Sequence, residues 1–391
     1  MRVFLTGATG FIGSFLVPEL IKAGHHVVGL SRSDAGAEAL TRAGAEVFRG
    51  DVNDLDRLRI AAEAADGVIH AAFNHDFSNL KQHSEEDRKV IETLGEVLGG
   101  SNRTLVITSG TGLARSKTGG PAVETDDHVT SAEFRRAATE EAADALIAKG
   151  ERVIVMRLPQ VHDTRRFGRV TRHIQLARQQ GRVAYVGEGK NRLPAVHVSD
   201  AVRLYRLALE KGQAGARYNA VGEEGVALRD IAEVIGARLK MPVVSITPKE
   251  APEYFGGLVN LATIDLAASG ALTRQQLGCT PPGRTCLPTC AIWITAWPRV
   301  SRLRFRNKLD HVHFASLALV PREAGSIGAP SWSGKRPMLL YRWKEIQSAA
   351  FEIRPFNPLP VRIDDGLQWQ QWDFCLWLIK QAAIKTVVAS I

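Results

Sequence analysis

Hydrophobic and polar positions change period along the first 279 residues, which indicates alternating strands and helices. Short apolar runs have the length of buried strands, as in "RVFL" at 2–5, "HVVGL" at 26–30 and "RVIVMRLP" at 152–159. Between such runs, apolar residues recur every three or four positions, as in "EEDRKVIETLGEVLGG" at 85–100. Strands that alternate with helices at this spacing predict a doubly wound parallel sheet of the α/β class.

A glycine-rich loop, "TGATGFIGS" at 6–14, joins the first predicted strand to the first helix. Gly7 permits a tight turn, Gly10 lets the backbone approach a pyrophosphate, and Gly13 lets helix and strand pack closely. The helix N-terminus adds N–H groups and a partial positive charge. This context predicts a dinucleotide-binding Rossmann domain, the alternative being a glycine-rich turn that binds nothing.

The end of the second strand distinguishes NAD from NADP. Ser31 and Arg32 come directly after it, whereas the acidic residue Asp34 comes later. A guanidinium matches the geometry of a 2′-phosphate, so the sequence favours NADP over NAD. The alternative is a solvated arginine. Asp51, after the third strand, is a candidate acceptor for the adenine amino group, although it could instead cap the next helix, for which Asp54 is the better candidate.

Residues 1–163 are therefore predicted as the nucleotide-binding domain and residues 164–279 as a small C-terminal substrate lobe. A helix, a strand–turn–strand and two further helices account for most of this lobe. Four arginines near its start could attract an anionic substrate or simply form a solvated face; they are Arg165, Arg166, Arg169 and Arg172.

Residues 280–391 form a tail of unlike composition. All seven Trp of the chain lie between 293 and 377, and aromatic residues mix irregularly with Pro, Arg and Ser. The segment "PGRTCLPTCAIWITAWP" at 282–298 can be back-translated so that another reading frame encodes an amphipathic helix. A shifted reading frame, poor order and a genuine extension therefore all stay open.

The tail also explains the net charge of +9, because it holds 15 Lys+Arg against 7 Asp+Glu. A basic groove in the folded part is not indicated, so we expect no nucleic-acid partner. All four Cys lie at 279 or beyond, and Cys286 and Cys290 have no nearby His, so we predict no metal site. Without a signal-like N-terminus or an apolar stretch of membrane-spanning length, we expect a cytoplasmic protein without a membrane partner.

Several motifs together carry a resemblance to a known family. The chain resembles the extended and atypical short-chain dehydrogenase/reductase superfamily, including the NAD-dependent epimerase/dehydratase-like proteins, over residues 1 to about 279. The matching segments are "TGATGFIG", "GDV" at 50–52, "HAAF" at 70–73, "TSG" at 108–110, "RLPQVHD" at 157–163 and "PAVHVSDAVRLYRLAL" at 194–209. The resemblance implies a nicotinamide cofactor and a substrate from a broad range that includes nucleotide sugars, steroids and small carbonyl compounds.

In that superfamily a Tyr on the helix after the fifth strand donates a proton, and a Lys four residues later assists it. Here the matching positions in "FRRAATEEAA" hold Arg136 and Glu140. Residues four apart on a helix can form an ion pair, so Glu140 is predicted to hold Arg136 against a substrate oxygen or carboxylate. The alternative is a surface ion pair without function. An arginine cannot act as a general acid near pH 7, because its pKa is too high.

Other side chains are candidates for the missing chemistry. Thr111 follows the fifth strand, where the family keeps a hydroxyl that binds the carbonyl oxygen, and Ser109 lies beside it. His162, at the end of a later strand, is the preferred alternative proton donor. The complete predicted cofactor-binding set is Gly7, Thr9, Gly10, Phe11, Ile12, Gly13, Arg32, Asp51, Val52, Ala71, Ala72 and Ser109.

Two functions are compatible with these residues. The first is an NADP-linked oxidoreductase, or an epimerase/dehydratase-like enzyme, that acts on a small carbonyl or sugar-like molecule without the Tyr–Lys pair. The second is a non-catalytic NADP(H)-sensing regulatory protein. Polar groups at the strand ends favour the enzyme. A homodimer is compatible with either function.

Overall fold

The computed structural model describes residues 1–164, 168–279, 282, 283 and 285–296. The strands are β1 Arg2–Thr6, β2 His26–Ser31, β3 Glu46–Arg49, β4 Gly67–His70, β5 Thr104–Gly110, β6 Val153–Leu158, β7 Gln160–His162, β8 Val183–Val186, β9 Arg192–His197, β10 Arg217–Asn219, β11 Glu223–Ala227 and β12 Val243–Ile246.

The helices follow the predicted order, with short additions near the end. They are α1 Gly13–Lys22, α2 Asp34–Arg42, α3 Leu55–Glu63, α4 Leu80–Leu98, α5 Ala138–Ala148, α6 Gly168–Gln180, α7 Val198–Lys211, α8 Leu228–Leu239, α9 Ala251–Phe255, α10 Val259–Thr263, α11 Ala271–Leu277 and α12 Cys286–Ala296. Single 3₁₀ turns occur at Phe77–Asn79, Thr111–Leu113, Arg135–Ala137 and Gly256–Leu258.

The central sheet has seven parallel strands in the order β10-β6-β5-β4-β1-β2-β3. This confirms the predicted doubly wound α/β fold. Strands β2 and β3 extend the sheet to one side of β1, whereas β4, β5 and β6 extend it to the other. The order reverses between β1 and β4, and ligands of such sheets bind at the carboxyl ends of the strands at this switch point.

Alternation along β1 assigns its side chains to two separate cores. Val3 and Leu5 face the layer of α1 and α7, whereas Phe4 faces the layer of α3, α4 and α5. The apolar residues by which the helices cover the sheet recur at helical spacing, as do Leu16 and Leu20 in α1. The two apolar layers fix the carboxyl ends of the strands as a rigid edge.

The substrate lobe is built on two small sheets. One has the order β11-β9-β7, and the other pairs β12 with β8. Helices α6 and α8 cover them through Ile174 and Ile231, which belong to a separate apolar core.

The chain crosses back between the lobes, which differs from the predicted boundary at residue 163. Helix α7 packs on α1 and strand β10 joins the central sheet beside β6. The apolar positions Val198, Val202, Tyr205 and Leu209 recur at helical spacing and belong to the core of the nucleotide domain. Residues 198–219 therefore complete the Rossmann layer although they follow part of the substrate lobe in sequence.

The start of the predicted tail is part of the substrate lobe. Helix α12 packs against α8, and Cys286 and Cys290 are fully buried there. Burial raises the pKa of both thiols. The backbone N–H of Cys286 donates to Glu223 at 2.5 Å, and that of Gly283 donates to Asp200 at 2.9 Å. The hypotheses about the rest of the tail fall on residues 297–391, which lie outside the described residues.

In the part of the chain that the structure describes, no helix is long and apolar enough to cross a bilayer. Within the same residues, no group of three or more His, Cys, Asp or Glu side chains is placed to hold a metal ion.

Candidate functional site

The glycine loop has a geometry that only glycine permits. Gly7 has a φ of +68°, and a Cβ there would lie 2.7 Å from backbone atoms of Ala71 and Ala72. A Cβ on Gly13 would collide with the carbonyl oxygen of Gly7. Thr9 and Gly10 are exposed, and no side chain caps α1. An exposed backbone at an uncapped helix N-terminus fits a pyrophosphate.

The remaining loop positions agree with this arrangement. Phe11 and Ile12 are partly buried against the core of the nucleotide domain. Ala71 and Ala72 follow β4, and Ala72 N–H donates to Thr6 Oγ1 at 3.3 Å. These segments surround the switch point between β1 and β4, where the nucleotide is predicted.

Arg32 is the exposed cation at the end of β2. Its side chain is 83% exposed, and Nη1 lies 3.5 Å from Asp51 Oδ2. The acid Asp34 is instead held by Arg49 at 2.6 Å. As predicted, Asp54 rather than Asp51 caps α3, because its carboxylate accepts the Arg57 N–H at 3.2 Å. Strand β2 lies beside β1 and β3 beside β2, all parallel, so Arg32, Asp51 and Val52 follow strands that end at the same edge of the sheet as the glycine loop.

Arg136 lies at the carboxyl edge of the sheet, but the predicted ion pair with Glu140 is wrong. Arg136 Nη1 donates to Asp87 at 2.9 Å and Nη2 donates to the carbonyl oxygen of Thr108 at 3.0 Å. Its Cζ lies 3.8 Å from the centre of the Phe73 ring. Arg136 belongs to the 3₁₀ turn that precedes α5, and its side chain is 15% exposed.

Asp87 was not predicted, and it anchors Arg136. Its carboxylate also contacts His70 Nε2 at 3.0 Å and Thr139 Oγ1 at 2.5 Å. Burial alone would raise the pKa of Asp87, but Arg136, His70 and Thr139 outweigh it and hold that pKa below its ordinary value. Helical spacing is the sequence signal that could have indicated a buried Asp87, because this residue shares the buried face of α4 with Val90 and Ile91.

Glu140 turns away from the cleft and into the protein. Its oxygens accept hydrogen bonds from Arg157 Nε at 2.8 Å, Arg217 Nε at 2.9 Å and Ser109 Oγ at 2.7 Å. Glu140 and Arg157 side chains are both 0% exposed. Burial would raise the pKa of Glu140, but the two guanidinium groups hold it below its ordinary value. The partners of Glu140 are therefore Arg157 and Arg217, whereas the sequence predicted Arg136.

Ser109 is buried, and its hydroxyl donates to Glu140. The neighbouring candidate Thr111 begins a short 3₁₀ turn and is buried. The role of Ser109 in cofactor binding stays a prediction. The role of Thr111 in binding a carbonyl oxygen stays a prediction as well.

His162 is the alternative proton donor predicted from the sequence. It is fully buried at the end of β7, and its ring lies 5.6 Å from that of His197. Burial, followed by the charge of His197, lowers the pKa of His162 to about 3. An imidazole with this pKa is neutral at pH 7, and the role of His162 as proton donor stays a prediction.

Of the four arginines that the sequence predicts as a cluster, Arg165 and Arg166 lie outside the described residues. Arg169 and Arg172 belong to α6, and Arg172 is exposed.

Comparison with known proteins assigns the family. Residues 3–221 match the NAD dependent epimerase/dehydratase family, and the chain belongs to it. An uncharacterized protein of Schizosaccharomyces pombe is 42% identical over 292 residues, which cover 74% of this chain and 98% of that protein. An uncharacterized protein of Saccharomyces cerevisiae is 42% identical over 285 residues, covering 72% and 95%.

A relative with a described activity is more distant. The decarboxylating sterol-4-alpha-carboxylate 3-dehydrogenase of Dictyostelium discoideum is 28% identical over 245 residues, which cover 58% of this chain and 73% of that enzyme.

Solved structures share the fold. A dTDP-glucose 4,6-dehydratase from Streptomyces venezuelae, solved with NAD, superposes with a TM-score of 0.61 at 18% identity and covers 75% of this chain and 96% of that one. A UDP-glucuronic acid 4-epimerase from Bacillus cereus, solved with UDP-glucuronic acid and NAD, gives 0.58 at 18% identity and covers 75% and 99%. The family confirms the predicted resemblance, and NADP stays a prediction.

Proposed function

We propose that this protein is an NADP(H)-dependent oxidoreductase that acts on a small carbonyl or sugar-like substrate, with Arg136 in place of the proton-donating Tyr. The position of Arg136 carries the proposal. Its guanidinium is held at the carboxyl ends of β4 and β5, beside the switch point. Among the described residues it uses one N–H towards Asp87 and one towards Thr108, out of five.

Each residue then has a defined task. The glycine loop binds the pyrophosphate, and Arg32 binds the 2′-phosphate. Bound NADPH supplies the hydride. Arg136 donates hydrogen bonds to the substrate oxygen and stabilises the negative charge that develops on it. Because an arginine does not release its proton near pH 7, we assign the final proton to water.

The test of Arg136 is NADPH oxidation by the full chain with a panel of aldehydes, ketones and nucleotide sugars. Arg136→Gln is expected to lower kcat about a hundredfold, while the Kd for NADPH stays within about twofold. Arg135→Gln is the matched control, because Arg135 lies in the same turn and, among the described residues, its side chain donates a hydrogen bond to the carbonyl oxygen of Ser131 alone, at 3.3 Å. Equal activity of both variants would refute the role of Arg136.

The cofactor preference is tested separately by calorimetric titration of NADPH and NADH. Arg32→Ala is expected to weaken NADPH binding about tenfold or more and to leave NADH binding nearly unchanged. Arg42→Ala, at the exposed end of α2, is the control. Equal loss for both nucleotides would contradict contact with the 2′-phosphate.

A non-catalytic NADP(H)-sensing protein is the second candidate, and Glu140 favours it. The side chain at the position of the family's Lys is buried and bound inward, so it does not reach a ribose. Tight NADPH binding without turnover across the panel, together with a partner captured only in the presence of NADPH, would favour this function over the enzyme.

A further inference from the structure

Both carboxylate oxygens of Asp87 lie within hydrogen-bond distance of other side chains. His70 Nε2 contacts Oδ1 at 3.0 Å, and Oδ2 accepts from Arg136 Nη1 at 2.9 Å and Thr139 Oγ1 at 2.5 Å. The Asp87 side chain is 4% exposed. Its charge therefore acts mainly on Arg136 and is weakly screened by solvent.

His70 joins Asp87 to Thr6 through its two ring nitrogens. Thr6 Oγ1 accepts the Ala72 N–H at 3.3 Å and contacts His70 Nδ1 at 2.7 Å. We assign the Thr6 hydroxyl as the donor to Nδ1 and Nε2 as the donor to Asp87, an arrangement in which each of these polar atoms has a partner. In this arrangement the cluster pairs one carboxylate, that of Asp87, with one guanidinium, that of Arg136.

Arg136 has little freedom to leave its partner. Besides Asp87, it is fixed by the carbonyl oxygen of Thr108 at 3.0 Å and by the Phe73 ring at 3.8 Å. Thr108 is itself held, because its hydroxyl donates to the carbonyl oxygen of His70 at 2.8 Å and contacts Tyr205 Oη at 2.6 Å. The pair of Asp87 and Arg136 is therefore a preformed unit without net charge.

We propose that Asp87, supported by His70 and Thr139, is a positioning residue that neutralises Arg136, so that the site takes an uncharged carbonyl group and discriminates against a carboxylate at that point. The inference rests on the proposed function in one respect, that Arg136 faces the substrate. The inference adds to the proposed function that the substrate presents an uncharged carbonyl group to Arg136.

The physical reason is the difference between a paired and an unpaired cation. A carboxylate approaching Arg136 meets the attraction of the guanidinium and the repulsion of Asp87 together. An uncharged carbonyl group is not repelled as a charged group by Asp87, and it still accepts a hydrogen bond from Arg136. Negative charge that develops later on the carbonyl oxygen lies nearest to Arg136, so stabilisation is concentrated in the transition state.

The test uses acetamide and acetate, which have nearly the same shape and differ in charge. The full chain is labelled with ¹⁵N-arginine, and the Arg136 Nε–H signal is assigned as the one lost in Arg136→Gln. Each probe is titrated at constant ionic strength. In the wild type we expect both probes to shift the signal, with affinities that agree within about threefold. In Asp87→Asn, acetate should bind about tenfold or more tightly than acetamide, because the cation is no longer compensated.

Two further variants keep the result interpretable. Arg88→Gln removes the pair with Glu141 at 2.5 Å, which joins α4 to α5 outside the cluster, and should leave the affinity ratio unchanged. If Asp87→Asn does not fold, Thr139→Val removes one support of Asp87 and should move the ratio in the same direction by a smaller factor.

Three outcomes would overturn the proposal. They are a wild-type preference for acetate of about tenfold or more, an unchanged ratio in every folded Asp87 or Thr139 variant, and no response of the Arg136 signal to either probe. None of these readouts needs turnover or NADPH. An absence of enzymatic activity would therefore refute the proposed function and leave this inference standing.

Discussion

The nucleotide loop and the region around β5 and α5 lie on the same sheet, yet they are built in different ways. In the loop, backbone geometry defines the site, as the φ of +68° at Gly7 shows. Around α5, buried ion pairs define it, with Glu140 against Arg157 and Asp87 against Arg136. The comparison teaches that one sheet can carry a loop defined by backbone geometry beside a region defined by buried charged side chains.

The two kinds of construction should respond differently to substitution. A loop held by backbone atoms should lose ligand binding before it loses stability. A region held by buried charges should lose stability first, because an unpaired buried charge is costly.

The largest effect is expected for Glu140→Gln. The change leaves the buried Arg157 without a full counter-charge, so the free energy of unfolding should fall by about 3–5 kcal/mol. Urea denaturation followed by circular dichroism measures the change.

Glu141→Gln is the control for this substitution. Glu141 is the next residue of α5 and pairs with Arg88 nearer the surface, with its side chain 28% exposed. We expect a loss of no more than about 1 kcal/mol there. Similar losses at both positions would remove the distinction between the two regions.

The next effect is expected at Gly10, on the other side of the comparison. Gly10→Val adds a side chain where the loop is exposed and where the pyrophosphate is predicted, and its Cβ would lie 3.1 Å from the carbonyl oxygen of Gly7. NADPH affinity should fall about tenfold or more, while the free energy of unfolding falls by no more than about 1 kcal/mol. A stable variant that binds NADPH as the wild type does would show that the loop does not approach the phosphates.

The same comparison explains what the sequence could predict. Gly7, Gly10 and Gly13 act within one short loop, so their spacing was informative. The partners around α5 come from distant positions, since Asp87 is 49 residues from Arg136 and Arg217 is 77 residues from Glu140. Helical spacing could indicate that Asp87 is buried, but not which cation it meets. The pairing of Arg136 with Glu140 failed because only local spacing was available.

The return of α7 and β10 to the nucleotide domain was missed for a related reason. The apolar stripe of α7 shows that one face is buried, and the sequence alone does not show against which layer. Strand β10 spans only Arg217–Asn219, which is too short for a periodic signal.

A third prediction concerns acid, and it separates the two regions further. The pKa values of Asp87 and Glu140 are lower in the folded protein than their ordinary values. Their contribution to stability is therefore present above the unfolded pKa, near 4, and is lost as the pH falls through the folded pKa. The stability difference between wild type and Asp87→Asn, measured by urea denaturation from about pH 7 to about pH 2.5, should stay nearly constant down to about pH 4 and shrink below it. A difference that grows on acidification would contradict the assigned charges.

The smallest effect is expected for the exposed pair of Arg32 and Asp51. The side chains are 83% and 42% exposed and their charged atoms lie 3.5 Å apart, so solvent screens the attraction. Asp51→Asn should change the free energy of unfolding by no more than about 0.5 kcal/mol, at low and at moderate salt alike. The same variant should free Arg32 and tighten NADPH binding slightly, by about twofold to threefold, relative to NADH. A stability loss comparable to that of Glu140→Gln would mean that side-chain charge also holds the nucleotide region together, and the contrast between the two halves of the sheet would no longer stand.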